Sequence, residues 1–238
     1  MMRLIQGDCM KVLPTLPDES VDLIVTDPPY GIKYVSKHST DPIYRKNVAD
    51  TTLWDKHFDI KTTPIKEMLR ILKPNGHMYV FSRWDCLYDL PKPDRLLIWF
   101  KNDYGMGDLD DWSPSYEVIL LFKKGKRKLN GKRPQDVLTF HKVANFSVRS
   151  NTGLNKMYHP TEKPIRLIEH IIDKASNEGD VILDPFLGSG TTMKACLETK
   201  RNCIGIEIEP KYIEICKKRM NWESSLNPNI EWKFEVIE

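Results

Sequence analysis

VILDPFLGSGTT, residues 181–192, runs a short apolar segment into a glycine-rich turn. Val181 to Asp184 reads as a buried strand, Gly188-Ser189-Gly190 as a tight turn, and the chain from Gly190 or Thr191 as the start of a helix. Such a junction aims backbone N–H groups and the positive end of a helix at one point, which suits a carboxylate or a phosphate. A nucleoside triphosphate loop would carry a lysine before its Ser/Thr. Here Thr191 follows Gly190 directly, which disfavours triphosphate hydrolysis. About twenty residues on, Cys203-Ile204-Gly205-Ile206-Glu207-Ile208-Glu209 is an apolar strand that ends in acids. In dinucleotide-type folds an acid at the end of the second strand takes ribose hydroxyls, and Glu207 is preferred to Glu209 for that role. Together, the turn and the acid predict a ligand with a ribose and a carboxylate or phosphate.

Further strand-like runs lie at 21–26, 77–82, 95–100 and 116–122, several of them continuously apolar, as strands buried on both faces are. Helical spacing appears in Ile65, Met68, Leu69 and Leu72, stopped by Lys73-Pro74-Asn75-Gly76. It recurs from Pro164, with Ile165, Ile168, Ile171, Ile172 and Ala175 on one side, and after Pro210, with Ile213, Cys216 and Met220 inward. A shorter helix is expected from Cys9 to Leu16, with Asp8 placed to cap it. Alternating strands and helices imply an α/β domain, its mostly parallel sheet covered by helices on both faces, over all 238 residues. Two stretches break the alternation and read as loops, 33–57 and 123–158.

The net charge is only +3, so its distribution is more informative than its size. Lys123, Lys124, Lys126, Arg127, Lys128, Lys132 and Arg133 fall within eleven residues that contain no acid, the pattern of a phosphate-binding loop or of a solvated one. No apolar run approaches the roughly 18 residues of a membrane span, and no signal peptide is read at the start, so a cytoplasmic, membrane-free protein is expected. The five cysteines, Cys9, Cys86, Cys196, Cys203 and Cys216, include no pair spaced for zinc or for a disulfide framework. No metal site is expected.

The strand 21–26 ends in Asp27-Pro28-Pro29-Tyr30, a carboxylate beside two rigid residues and an aromatic. Alone this is an ordinary turn. With the glycine turn and the acidic strand end it resembles the amino-group DNA methyltransferases that use S-adenosylmethionine. Their catalytic tetrad corresponds to Asp27-Pro28-Pro29-Tyr30 and their cofactor motif to Asp184-Pro185-Phe186-Leu187-Gly188-Ser189-Gly190-Thr191. His159-Pro160-Thr161-Glu162-Lys163-Pro164 is similar to the segment that packs around the methionine moiety, and Gly7-Asp8-Cys9 to the segment near the adenosine.

The resemblance covers about two thirds of the chain and implies a Rossmann-like fold with a seven-stranded sheet. With the tetrad ahead of the glycine turn, the order is that of the beta group, a circular permutation that puts target recognition at 123–158. It implies catalysis by Asp27, Pro28, Pro29 and Tyr30, and cofactor contacts from Asp8, Cys9, Lys163, Asp184, Pro185, Phe186, Gly188, Ser189, Gly190, Thr191 and Glu207. The basic run Lys123 to Arg133 would meet DNA phosphates. Asp27 would accept one N–H of the target amino group and the Pro28 carbonyl the other, while Tyr30 stacks on a base turned out of the duplex. The first Asp favours adenine N6. N4-cytosine modification is the alternative, and a non-catalytic DNA-binding module is a second. A homodimer and a cognate restriction endonuclease are expected partners.

Overall fold

The computed structural model describes residues 1–30, 59–102, 112–141 and 162–237. In chain order these form β1 (Met2–Gln6), α1 (Cys9–Val12), β2 (Val21–Thr26), α2 (Ile65–Ile71), β3 (Leu72–Ser82), β4 (Arg95–Phe100), β5 (Tyr116–Lys123) and β6 (Val137–Thr139). Then follow α3 (Ile165–Ala175), β7 (Val181–Asp184), α4 (Thr191–Glu198), β8 (Asn202–Glu207), α5 (Pro210–Leu226) and β9 (Trp232–Val236). The expected loop at 33–57 and the segment 142–158 lie outside the described residues.

One sheet carries all the described strands in the order β6-β4-β5-β3-β2-β7-β8-β1-β9. Every pairing is parallel except those of β5 with its two neighbours. The sheet is Rossmann-like as expected, but it has nine strands rather than seven. The two edge strands escape pattern reading for different reasons. β6 is three residues long, and β9 has no fully buried residue, so neither leaves a run of apolar side chains.

Helix α2 also differs from its expected end. It stops at Ile71, and the chain passes directly into β3, so Lys73-Pro74-Asn75-Gly76 lies inside strand-like backbone. Asn75 takes a left-handed φ of 67° there, and the pairing register of β2 with β3 shifts between Val21 and Leu23. The helix does end ahead of these residues, and the chain enters β3 with no separate turn.

Alternate residues of each central strand feed opposite cores. Leu23, Val25, Tyr79, Phe81 and Ile182 pack with α3, α4 and α5, whereas Ile24, Met78, Val80, Leu183 and Ile206 pack with α1 and α2. Burial on both faces is why these strands read as unbroken apolar runs. Because β1, β2, β7 and β8 are mutually parallel through their neighbours, Gln6, Thr26, Asp184 and Glu207 all end on one edge. Parallel α/β sheets bind ligands at that edge. No helix among the described residues is long and apolar enough to cross a membrane.

Candidate active site

Asp27 is the first residue beyond β2 and stands among charged neighbours. Its Oδ1 accepts the Tyr30 hydroxyl, and its Oδ2 accepts Lys163 Nζ at 2.5 Å. Lys163 immediately precedes Pro164 at the head of α3 and is buried. It also lies 3.2 Å from Glu117 Oε2, and Glu117 Oε1 pairs with Lys101 Nζ at 2.8 Å. The ammonium of Lys163 faces the rings of Phe81 and Tyr30, at 5.3 and 5.7 Å from their centroids. Burial pushes the Asp27 carboxyl above its ordinary range, against the pull of Lys163. Glu117, set between two lysines, is held below its ordinary value despite its burial. The two acids in turn hold Lys163 protonated against the cost of burying it.

One strand away along the edge, beyond β7, the glycine turn is built from its own backbone. Asp184 Oδ1 accepts Thr26 Oγ1 at 2.8 Å and Phe186 N at 3.1 Å, so this carboxylate braces the turn to β2. Burial raises its pKa to about 6. Gly188 and Gly190 have φ of 56° and 90°, left-handed values that a side chain resists. Leu187 folds back over β8, where a Cβ on Gly205 would lie 2.5 Å from Leu187 Cδ2. Pro185 and Ser189 are buried and Phe186 packs on the α1/α2 side, so these three shape the turn. Glu207 completes it. Its Oε2 accepts Gly188 N at 2.7 Å and its Oε1 accepts Ile208 N and Glu209 N at 2.9 and 2.8 Å. Burial still raises Glu207 to about 7, since three N–H donors offset only part of the desolvation.

Asp8 and Cys9 join the same edge through Gly7 N, which donates to Glu207 O at 3.0 Å. Asp8 caps α1 by accepting Met10 N at 2.9 Å. The Cys9 thiol is buried and pushed up to about 12, which leaves it unreactive. Asp27, Asp184, Glu207 and Asp8 therefore follow one another along adjacent strand ends, about 14 Å for three inter-strand gaps. Two features have no counterpart in the sequence reading, the place of Glu117 and the pairing of Glu162. Glu117 shares its strand face with buried Ile119 and Leu121, an acid on an apolar face that could have flagged it. Glu162 accepts both Thr191 Oγ1 at 3.2 Å and Arg219 Nη2 at 2.7 Å, a pairing between distant segments that leaves no local pattern.

The basic run does not come to this edge. β5 is antiparallel to its neighbours, so Tyr116 lies beside Phe100 at the site edge, and Lys123 emerges beside His77 at the opposite one. Seven steps of about 3.3 Å separate the two ends, roughly 23 Å. Part of the run is also engaged in the fold. Lys124 Nζ donates to Leu72 O at 2.8 Å and pairs with Glu19 at 3.1 Å, and Arg127 lies 3.7 Å from Asp180. Lys132 O accepts Lys174 Nζ at 2.9 Å. Lys123, Lys126, Lys128, Lys132 and Arg133 are exposed on that far edge. The direction of one strand thus places these seven side chains, expected to meet DNA phosphates, on the edge opposite Asp27. The chain returns through β6, parallel to β4, to the site edge at Phe140, whose N donates to Phe100 O.

The sequence profile of a DNA methylase family matches residues 21–218. Type II methyltransferase M.HpaI of Haemophilus parainfluenzae is 31% identical over 93% of this chain and 74% of its own length. Type II methyltransferase M.HinfI of Haemophilus influenzae is 30% identical over 95% of this chain and 70% of its own. The crystal structure of M1.HpyAVI aligns with a TM-score of 0.66 at 25% identity, covering 93% of this chain and 99% of that one. The cytosine-N4-specific PvuII DNA methyltransferase aligns at 0.65 and 18% identity, over 96% of this chain and 87% of its own, a likeness of fold. Since the profile spans both the tetrad and the glycine turn, and the two meet on one sheet edge in that order, the chain belongs to the amino-group DNA methylase family, in its beta arrangement.

Proposed function

We propose that the protein methylates the exocyclic N6 of adenine in duplex DNA, acting on a base turned out of the helix against Tyr30. The observation that carries this is Asp27 itself. A carboxylate stands at the end of β2, one strand from the Asp184 turn, and both its oxygens hold donors that a substrate N–H can replace.

S-adenosylmethionine is the methyl donor, and the residues present fit it. A Cβ at Gly188 would meet nothing within 4 Å, so the turn offers open backbone to a ligand, and buried Glu207 sits at the strand end beside it. Glu207 would take the ribose hydroxyls, the Gly188–Gly190 turn the carboxylate end, and the Asp8-Cys9 segment the adenosine side. When bound, the cofactor supplies an electrophilic methyl group on a sulfonium.

The exocyclic nitrogen of adenine is a weak nucleophile because its lone pair is delocalised into the ring. Asp27 accepts one of its N–H groups and the Pro28 carbonyl the other, which draws the nitrogen toward tetrahedral geometry and frees the lone pair. Proline has no N–H to compete and holds its φ fixed. As the N–C bond forms, the methyl–sulfur bond would break with its electron pair left on sulfur as a neutral thioether; the nitrogen is then positively charged and its proton passes to Asp27, whose burial favours accepting it. Stacking on Tyr30, worth roughly 1–3 kcal/mol, offsets much of the cost of unstacking the base. The run Lys123 to Arg133 has no part in this step.

Incubation with labelled S-adenosylmethionine and duplex DNA, followed by digestion to nucleosides, tests the reading. Label in N6-methyladenine is expected. Label in N4-methylcytosine would replace the target base, and cofactor binding without transfer to any DNA would remove the enzymatic reading.

A further inference from the structure

Lys163 is shared by two acids on opposite sides, and only one of them belongs to the tetrad. Its ammonium is 2.5 Å from Asp27 Oδ2 and 3.2 Å from Glu117 Oε2, and the aromatic faces of Phe81 and Tyr30 wall it in. Glu117 is itself anchored by Lys101 at 2.8 Å, and Lys101 lies over the Trp99 ring. The four charges sum to zero, two carboxylates against two ammonium groups. We propose that Glu117 is a positioning residue for methyl transfer: it retains Lys163 when Asp27 exchanges its lysine hydrogen bond for the amino group of the target base. This rests on the reading of Asp27 as the acceptor of that amino group.

The balance of the cluster requires such a partner. Asp27 can receive a substrate N–H only if Tyr30 or Lys163 releases one of its oxygens. A buried ammonium cannot be left without a counter-charge, since that costs several kcal/mol. Glu117 provides one within reach, so Lys163 need only shift its weight from one acid to the other and stays protonated throughout. Without that second acid, Lys163 and Asp27 form a closed neutral pair, and the substrate must break it at full cost. The groups facing Asp27 are Tyr30 on its own segment, Lys163 ahead of α3, Glu117 on β5 and Asp184 on β7, while β3 contributes uncharged Phe81. Glu117 is the member of this set that touches Asp27 only through the lysine.

Two substitutions then act in opposite directions on one titration. Glu117→Gln removes a negative neighbour, so Asp27 should titrate lower. Lys101→Met removes the cation that balances Glu117, so Asp27 should titrate higher. Glu117→Asp keeps the charge and should leave Asp27 close to its original value. Carboxyl-detected NMR on the ligand-free protein reads these shifts without any turnover.

In the transfer assay, Glu117→Gln should lower kcat by about tenfold or more, the scale of a misplaced reacting group, with little change in KM for DNA. Its acid limb should move down in pH together with the NMR titration. Glu117→Asp should recover most of the rate. An Asp27 titration that ignores both Glu117→Gln and Lys101→Met overturns the proposal, and so does an unchanged kcat in Glu117→Gln. If Glu117→Gln fails to fold, the Lys101→Met and Glu117→Asp pair carries the same test of sign. A wild-type protein that transfers no methyl to DNA would instead defeat the functional reading, with the NMR shifts still deciding the coupling.

Discussion

Glu207 Oε2 accepts Gly188 N at 2.7 Å, so the acid at the end of β8 holds the glycine turn at the end of β7. The same carboxylate is held by two further N–H donors and still has a pKa near 7. Ribose hydroxyls are donors, and they favour the ionised form. Cofactor affinity should therefore weaken as pH falls below about 7, because binding must first remove a proton. Glu207→Gln should raise the dissociation constant of S-adenosylmethionine by about 5- to 150-fold, the cost of roughly 1–3 kcal/mol for unsatisfied buried donors, and should abolish the pH dependence. Calorimetric titration on both sides of neutrality measures both. A pH-independent wild-type affinity would show that Glu207 does not face the ligand.

Gly190 combines a φ of 90° with a tight approach, since a Cβ there would lie 3.0 Å from Cys216 Sγ. Gly190→Ala should destabilise the fold by about 1–2 kcal/mol from the left-handed backbone alone, and more from the contact with α5. It should also weaken cofactor binding, because the turn must move. Gly179 gives the control. Its φ is 84° and a Cβ there would meet nothing within 4 Å, on the loop before β7. Gly179→Ala should cost comparable backbone strain in urea unfolding and leave cofactor affinity unchanged.

His77 is buried at the start of the paired part of β3, and neither ring nitrogen has a hydrogen-bond partner among the described residues. Burial, with Lys123 and Arg127 nearby, lowers its pKa to about 4 from an ordinary value of 6.5. The unfolded chain binds this proton first as pH falls, so His77 lowers stability below about pH 6.5, and the loss levels off near 4. Glu207 and Asp184 act with the opposite sign. Their raised values mean that the native state keeps protons longer, so their contribution is lost as pH rises toward about 7 and about 6. The His77→Leu difference from wild type isolates the first effect. It should stabilise the protein near pH 4 by about 3 kcal/mol more than at neutral pH, read from urea midpoints. A difference that does not vary with pH would mean that the imidazole is solvated.

Much of this edge was legible in the sequence because its residues carry local signatures. Asp27-Pro28-Pro29-Tyr30 ends an apolar run, and Gly188 and Gly190 meet a backbone requirement that few other residues can. Glu207 ends a strand at the spacing a ribose acid needs. What stayed hidden depends on tertiary direction. Glu117 becomes part of the site only because β5 runs antiparallel and brings its first residues, not its last, to Asp27. The same reversal carries the basic run away, and a run of lysines looks identical on either edge. Asp8 had two readings, and its bond to Met10 N gives it the capping role beside Glu207. β1, β6 and β9 lie outside the expected strands; of these, the edge strands β6 and β9 are half-covered and need few apolar residues.

The direction of β5 has a consequence for DNA binding. Lys126 and Lys128 are exposed at the edge opposite Asp27, roughly 23 Å along β5 from the site. Each lysine that neutralises a phosphate contributes about −0.9 to the slope of log affinity against log salt. Lys126→Glu with Lys128→Glu should therefore leave that slope unchanged, and kcat with it, if duplex DNA lies across the Asp27 edge. A slope shallower by about two would place phosphates on the far edge and require the duplex to wrap around the end of the sheet. Fluorescence anisotropy with a labelled duplex at several salt concentrations distinguishes the two paths. The expected result confines phosphate contacts to the edge where Phe140 and Lys163 re-enter the fold.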